Sequence, residues 1–198
     1  MKWDEETGIW DLELATKNHR CDCLLAAAIF TFYSPRKGPC LHFPESVLDV
    51  GCGDGRYCAI FQACGWDNIV GLEGTPGVKD LGVFNNIIEV DLTKSIIPIP
   101  SELVVCLEVG EHIPRKHEQT LINNICNCCT NHLVISWAVP GRGGSGHVNT
   151  RQNEYVIGQF EDRDMVWNED MTLKLRDKCY FKWFKSSLLV FDRGEDDN

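Results

Sequence analysis

Short apolar runs alternate with amphipathic segments along most of the chain. Apolar runs flanked by glycine, proline or acidic residues predict buried strands, whereas apolar residues spaced three or four positions apart predict helices. The predicted strands comprise residues 46–50, 69–72, 87–90, 103–107, 132–137, 165–167 and 186–191. The predicted helices between them comprise residues 55–64, 115–129, 152–160 and 173–176. This alternation favours an α/β fold with a doubly wound, mostly parallel sheet.

The first part of the chain has a different pattern. Residues 10–33 carry apolar positions at helical spacing, interrupted by the polar stretch 19–22, and predict one or two helices. A cluster of serine, proline and glycine at residues 34–39 predicts a boundary. We therefore divide the chain into an N-terminal helical extension (residues 1–43), a core domain (residues 44–192) and a charged, disordered tail (residues 193–198).

Composition and charge restrict the class of protein. The chain has 198 residues, which is enough for one domain with a full core. A net charge of −10 disfavours broad binding to a phosphate backbone, so nucleic acid is an unlikely class of partner. The apolar run at residues 24–32 is too short to span a membrane, and residues 1–20 lack a secretory pattern. We therefore expect a cytoplasmic protein with no membrane contact.

The chain contains 11 cysteines. Without an export signal they are expected to be reduced thiols. Cys126, Cys128 and Cys129, with Cys21 and Cys23, are the residues that a zinc site would use. They lack the paired C-x-x-C spacing of structural zinc sites, so we interpret them as core residues or free thiols and predict no zinc.

A glycine-rich turn after the first predicted strand is the most informative motif. The apolar strand ends at Val50 and is followed by Gly51, Gly53 and Gly55 in a G-x-G-x-G pattern. Glycine allows the backbone to turn sharply and to approach a ligand closely, and the helix that follows presents free N–H groups. Arg56 stands where the third glycine of a dinucleotide-binding motif would fall, which argues against a pyrophosphate on this helix.

Acidic residues follow the next two predicted strands. Glu73 lies 20 residues after Gly53, at the position from which a carboxylate can bind two ribose hydroxyls. Asp91, followed by Leu92, ends the third strand, where an acid can meet an adenine amino group. Together with the glycine turn, these acids predict a nucleoside-binding site at the carboxyl ends of the strands.

The segment Leu48–Gly55 together with Glu73 resembles the class I S-adenosylmethionine-dependent methyltransferases, and the resemblance extends over about residues 44–140. It implies a seven-stranded Rossmann-like sheet with helices on both faces and an antiparallel last strand. The N-terminal helices would form a lid beside the cofactor, although a cover for the sheet edge is an equal alternative. The resemblance implies that S-adenosylmethionine is bound by Asp49, Gly51, Gly53, Glu73, Asp91, Leu92 and Glu108.

Two segments carry candidates for catalysis. Glu108 follows the fourth strand in an E-x-x-E-H pattern that ends at His112, which is a candidate base or a helix cap. A loop rich in glycine follows the fifth strand and contains His147, our preferred general base. We assign acceptor binding to Trp137 as an aromatic wall, Arg142 for an acidic group, and Asn149. The alternative for this loop is a surface segment in which His147 only bonds to Asn149.

These observations predict a methyltransferase that acts on an oxygen or nitrogen nucleophile of a small-molecule acceptor, without a metal. One alternative follows from small-RNA 2′-O-methyltransferases, in which a similar E-x-x-E-H segment and a later histidine bind a divalent metal. In that alternative the ligands would be Glu108, Glu111, His112 and His147. A second alternative is a catalytically silent cofactor-binding partner protein. The sequence makes no prediction about oligomeric state.

Overall fold

The structure, a computed structural model, describes residues 3–34 and 44–194. Within these ranges the strands are β1 (Val47–Val50), β2 (Ile69–Glu73), β3 (Ile87–Glu89), β4 (Ser101–Leu107), β5 (Cys129–Ser136), β6 (Met165–Trp167) and β7 (Leu188–Arg193). These seven strands of the described ranges form one sheet in the order β3-β2-β1-β4-β5-β7-β6.

Most neighbouring strands of the sheet are parallel. β1 pairs in parallel with β2 and β4, β2 with β3, and β4 with β5, whereas β7 runs antiparallel to both β5 and β6. All four residues of β1 are buried, as expected for a central strand covered on both faces. The predicted doubly wound, mostly parallel seven-stranded Rossmann-like sheet is confirmed, including the antiparallel last strand.

The helices of the described ranges are α1 (Leu12–Asn18), α2 (Cys23–Tyr33), α3 (Arg56–Cys64), α4 (Glu118–Cys128), α5 (Asn153–Glu161), α6 (Glu169–Lys178) and α7 (Phe184–Ser187). The N-terminal pattern therefore forms two helices. Each begins at an aspartate: Asp11 accepts from the backbone N–H of Leu14, and Asp22 accepts from those of Leu24 and Leu25. These carboxylates satisfy backbone donors that a helix start leaves free, which explains the break between the helices.

Several predicted boundaries differ from the structure. α6 spans ten residues rather than residues 173–176, because Asn168 caps it by accepting from Met171 N at 2.9 Å. β5 begins at Cys129, three residues before the predicted start at His132, and β4 and β5 show a register shift at this end. β7 extends through Arg193, one residue into the predicted tail. Residues 35–39 of the predicted boundary and residues 195–198 of the predicted tail lie outside the described residues.

Apolar side chains form one buried cluster on each face of the sheet. Cys126, Cys128 and Cys129 belong to the cluster beneath α4, and burial raises the pKa of Cys129 to about 12. These thiols are therefore protonated core residues. In the part of the chain that the structure describes, no helix is long and apolar enough to cross a membrane.

The order of the strands places a crevice at one edge of the sheet. The chain winds from β1 toward β2 and β3 on one side, and from β4 toward β5 on the other. The carboxyl ends of β1 and β4 therefore lie side by side where the winding reverses, since Asp49 is paired with Val105 in parallel register. Ligands of open α/β sheets bind at such a switch point.

Candidate active site

The glycine turn after β1 has a backbone that only glycine fits. Gly51 has φ +75° and Gly53 has φ +58°, in the left-handed region that other residues rarely adopt. A Cβ atom on Gly51 would lie 2.3 Å from Val109 Cγ2, and one on Gly53 would lie 2.7 Å from His19 Nδ1. The turn therefore packs tightly between the start of the loop after β4 and a residue of the N-terminal extension.

Glu73 ends β2 and bonds directly to the glycine turn. Its Oε2 accepts from the backbone N–H of Gly53 at 2.9 Å, and its Oε1 accepts from Thr75 N and Oγ1, both at 2.9 Å. These bonds fix the carboxylate at the mouth of the turn. The structure thus places Glu73 beside the turn, as the predicted ribose-binding role requires.

Asp49 lies beneath the turn in a desolvated position. Its carboxylate is buried and accepts a bond from Cys58 Sγ at 3.4 Å. Burial raises its pKa to about 7, although the bond from Cys58 opposes the shift. Asp49 nevertheless lines the cavity described below, so its protonation state affects the field that a ligand meets.

The acid after β3 is oriented differently from the prediction. Asp91 Oδ1 accepts from Thr93 N at 3.0 Å and Thr93 Oγ1 at 2.6 Å, and Oδ2 pairs with Lys94 at 3.0 Å. Leu92, rather than Asp91, lines the cavity. The apolar side chain therefore faces the position of a ligand, and the neighbouring carboxylate organises the turn behind it.

Glu108 has strained backbone geometry where β4 ends. Its φ is +57°, a conformation that is uncommon for a non-glycine residue and is often found at functional sites. The Oε1 atom of Glu108 accepts from Ser136 Oγ at 2.8 Å. The backbone N–H of Glu108 donates to Ser136 Oγ, also at 2.8 Å. Burial raises the pKa of Glu108 despite these bonds. The strand end is thus built to direct this carboxyl into the cavity.

A cavity of about 320 Å³ lies over these strand ends. The residues from β1, β2 and β4 that line it include the predicted cofactor residues Asp49, Gly51, Gly53, Glu73 and Glu108. Leu92, His112 and His147 also line the cavity. The cavity therefore joins the predicted cofactor residues to the predicted catalytic histidines in one space.

The N-terminal extension forms the outer wall of the cavity, in the segments 7–10 and 18–21. Trp10 stacks on His19 with ring centroids 5.5 Å apart. The rings of Trp10 and His112 meet edge to face, with centroids 4.9 Å apart. Sequence reasoning did not assign Trp10 or His19 to the site. The polar stretch 19–22 between two apolar helices was the available signal, since it interrupts a buried pattern with residues that need another environment.

The two candidate catalytic histidines are neighbours. The rings of His112 and His147 meet edge to face with centroids 5.0 Å apart. Burial lowers the pKa of His112 to about 4, with a further contribution from His147, and burial also lowers the pKa of His147. Both imidazoles are therefore neutral near neutral pH and have lone pairs available for a proton or a cation.

The three residues assigned to the acceptor lie away from the cavity. Trp137 is buried, and its Nε1 donates to the backbone carbonyl oxygen of Asn149 at 2.6 Å. Asn149 is itself buried and donates from Nδ2 to Glu118 Oε2 at 2.9 Å. Arg142 bonds to Ser186 Oγ at 3.0 Å. Trp137 and Asn149 thus support the loop from beneath, because Trp137 Nε1 and Asn149 Nδ2 both donate to partners in the core, and this placement does not fit direct contact with an acceptor.

Comparisons with known proteins identify the family of this chain. A family model described as a methyltransferase domain matches residues 18–139, more than half of the chain. No curated protein matches the sequence.

Solved structures share the fold. The TehB-like S-adenosylmethionine-dependent methyltransferase of Corynebacterium glutamicum has a TM-score of 0.61 and 18% identity, covering 93% of each chain. The N-methyltransferase NodS of Bradyrhizobium japonicum, bound to S-adenosylhomocysteine, has a TM-score of 0.61 and 17% identity, covering 92% of this chain and 87% of its own. The magnesium protoporphyrin IX methyltransferase of Synechocystis, bound to S-adenosylmethionine, has a TM-score of 0.59 and 15% identity, covering 86% of this chain and 76% of its own.

The seven-stranded sheet, the glycine turn with its carboxylate and the family match all lead to one assignment. This chain belongs to the family of methyltransferase domains, within the class I S-adenosylmethionine-dependent methyltransferases.

Proposed function

We propose that this chain transfers the methyl group of S-adenosylmethionine to an oxygen or nitrogen atom of a small-molecule acceptor. The observation that carries the proposal is the bond between Glu73 and the N–H of Gly53 at the mouth of the cavity. A carboxylate fixed beside a glycine turn suits the ribose hydroxyls of an adenosyl cofactor. The two histidines that line the same cavity suit the atom that receives the methyl group.

In this proposal each predicted cofactor residue has a separate task. Gly51 and Gly53 allow the methionine half to approach the backbone, and Glu73 binds the ribose. Leu92 packs against the adenine, with Asp91 shaping the turn behind it. Asp49 and Glu108 place carboxyl groups beside the cationic half of the cofactor, whose positive charge favours their ionised form.

Methyl transfer is a displacement at carbon, in which a bond from the acceptor atom forms as the bond to sulfur breaks. The protein's contribution is to hold the two reactants in line and close together. His147 is our candidate for the base that removes the acceptor proton, with His112 beside it. Trp10, from the N-terminal segment, packs against the ring of His112, which in turn meets the ring of His147.

The size of the cavity and the net charge of the protein favour a small acceptor. The N-terminal segments 7–10 and 18–21 close the outer side of a cavity of about 320 Å³. The net charge of −10 provides little attraction for a nucleic-acid backbone. Both features weigh against the alternative of an RNA acceptor.

Cofactor binding is tested by calorimetry with S-adenosylhomocysteine. Glu73→Gln should weaken its affinity at least tenfold, because the neutral amide is a poorer acceptor for two hydroxyls. Glu89→Gln is the matched control, since Glu89 is paired with Glu73 in parallel register on the neighbouring strand and should change affinity less than twofold. Equal affinity of wild type and Glu73→Gln would contradict the proposed ribose site.

The acceptor class is tested with cofactor that carries a tritiated methyl group. The protein is incubated with a cell extract divided into molecules below about 1 kDa, RNA and protein. We expect label in the small-molecule fraction. Label confined to RNA would overturn the proposal in favour of the RNA alternative, and tight cofactor binding without label in any fraction would favour a silent partner protein.

A further inference from the structure

Glu111 is a buried carboxylate that lacks hydrogen-bond partners. It is fully buried, and neither Oε1 nor Oε2 has a partner at hydrogen-bonding geometry. Burial raises the pKa of Glu111 well above its ordinary value, and the neighbouring Glu108 adds to this shift. A buried polar group without a hydrogen-bond partner is costly, so a ligand is the expected partner.

Two imidazoles lie against this carboxylate. Three residues, Glu111, His112 and His147, each offer one ligating atom. These three atoms lie within 4.8 Å of one another. His112 Nδ1 lies 3.2 Å from the carbonyl oxygen of Gly146. Because a carbonyl only accepts, Nδ1 carries the hydrogen and Nε2 keeps its lone pair. Metal-binding histidines usually have this arrangement, with the second nitrogen donating to a backbone carbonyl.

The backbone holds this cluster together. The carbonyl oxygen of Glu111 accepts from Val148 N at 2.9 Å and from Asn149 N at 3.0 Å. These bonds fix the residues that follow His147 against the residue that precedes His112. The loop and the segment after β4, separated by more than thirty residues in the sequence, therefore meet through main-chain bonds as well as through side chains.

We propose that Glu111, His112 and His147 bind a divalent transition-metal cation, such as Mn²⁺ or Zn²⁺, whose open positions face the cavity and take an oxygen atom of the acceptor. Two imidazoles with one carboxylate form a common catalytic metal site that leaves coordination positions free. The cation neutralises the buried carboxylate and uses the lone pairs of both histidines. Ligand atoms around such a cation are about 3.4 Å apart, so the side chains close by about 1 Å on binding.

This set differs from the four-ligand alternative considered for the sequence. Glu108 is engaged by Ser136 and lies outside the three-residue cluster. The inference that the cation takes an acceptor oxygen rests on the proposed methyl transfer. With the cation bound, both histidines would be ligands rather than bases, an acceptor hydroxyl on the cation would lose its proton more readily, and that proton would pass to water.

The test is cation binding by the untagged, full-length chain. Calorimetry with Mn²⁺ and the absorption spectrum with Co²⁺ are recorded for wild type, Glu111→Gln, His147→Ala and the control His117→Ala. Wild type and His117→Ala should bind one cation per chain with affinities within twofold of each other. Glu111→Gln and His147→Ala should bind at least tenfold more weakly, and the Co²⁺ bands of a mixed nitrogen and oxygen site should disappear.

Thermal denaturation provides a second readout that does not depend on activity. Glu111→Gln keeps the size and shape of the side chain, so without metal it should unfold within about 2 °C of wild type. Saturating Mn²⁺ should raise the unfolding temperature of wild type and leave that of Glu111→Gln unchanged. Equal stabilisation of both proteins, or Mn²⁺ affinity unaffected in both variants, would overturn the metal site.

The outcomes separate this inference from the proposed function. Binding of S-adenosylhomocysteine and methyl transfer without any cation binding would remove the metal site and leave the methyltransferase assignment in place. Cation binding at these residues with no affinity for S-adenosylhomocysteine would support the site and contradict the proposed cofactor pocket.

Discussion

Asn149 Nδ2 donates to Glu118 Oε2 at 2.9 Å, which ties the end of the glycine-rich loop to the first turn of α4. Glu118 also accepts from Arg151 Nε at 2.6 Å and from the Tyr155 hydroxyl. Asn149 in turn accepts from Trp137 Nε1 through its carbonyl oxygen. One buried carboxylate therefore anchors the segment that carries His147.

Glu118→Gln should lower the free energy of unfolding by about 2–3 kcal/mol, because several donors lose a charged acceptor in the core. Burial raises the pKa of Glu118, but the bonds from Tyr155, Arg151 and Asn149 outweigh it and the net pKa is lowered from 4.5. Its stabilising contribution is therefore complete above the ordinary pKa and is lost as pH falls through the folded-state pKa. Denaturant titrations at neutral and acidic pH measure the free energy of unfolding of wild type and Glu118→Gln.

Exposed Glu161 in α5 is the control for that substitution. Glu161→Gln should change the free energy of unfolding by less than about 0.5 kcal/mol. If Glu118→Gln proved as stable as Glu161→Gln at neutral pH, the network would not anchor the loop.

Asp49→Asn should have the opposite dependence on pH. The folded protein holds a proton on Asp49 up to a pKa of about 7, whereas the unfolded chain releases it near 3.8. The contribution of this group to stability therefore falls as pH rises through that window. At about pH 8 the variant should exceed wild type in stability by roughly 1–3 kcal/mol, with little difference near pH 4.

Exposed Asp67 provides the matched change. Asp67→Asn should follow the wild-type profile across the same window. Parallel profiles for Asp49→Asn and wild type would show that Asp49 is not held in its protonated form.

Gly53→Ala should reduce the affinity for S-adenosylhomocysteine at least tenfold. The substitution combines a positive φ with a Cβ 2.7 Å from His19 Nδ1, so the turn and the cavity wall must both shift. Gly65→Ala separates the two effects, because Gly65 also has positive φ but nothing within 4 Å. It should cost about 1–2 kcal/mol of stability and leave affinity unchanged. Calorimetry that showed equal affinities for the two variants would contradict a close approach at Gly53.

Trp10→Ala should accelerate release of S-adenosylhomocysteine at least tenfold, since Trp10 joins His19 to His112 across the outer wall. Stopped-flow displacement measures the rate. Leu24→Ala, on the exposed side of α2, is the control and should leave it unchanged. An unaltered release rate in Trp10→Ala would show that this wall does not retain the ligand.

Local sequence patterns were sufficient for the fold and for one side of the site. A buried parallel strand is apolar throughout, so β1, β2 and β4 are recognisable in isolation. Gly51, Gly53 and Glu73 have a spacing that follows from one strand, one helix and the next strand. Because parallel strands present their carboxyl ends at one edge, order along the chain determined which residues would meet there.

Contacts between distant segments were decided only by the tertiary structure. Trp10 and His19 reach the cavity because α2 packs against α3 and α6, which are distant in sequence, and no local pattern specifies this contact. Trp137 looked like an acceptor wall, yet its N–H finds Asn149 in the core and the ring is buried. Glu111 and His147 become neighbours through main-chain bonds to a returning loop. The sequence alone determined the cofactor side, since it depends on short-range order; packing determined the acceptor side, since burial and hydrogen bonding select among many possible partners.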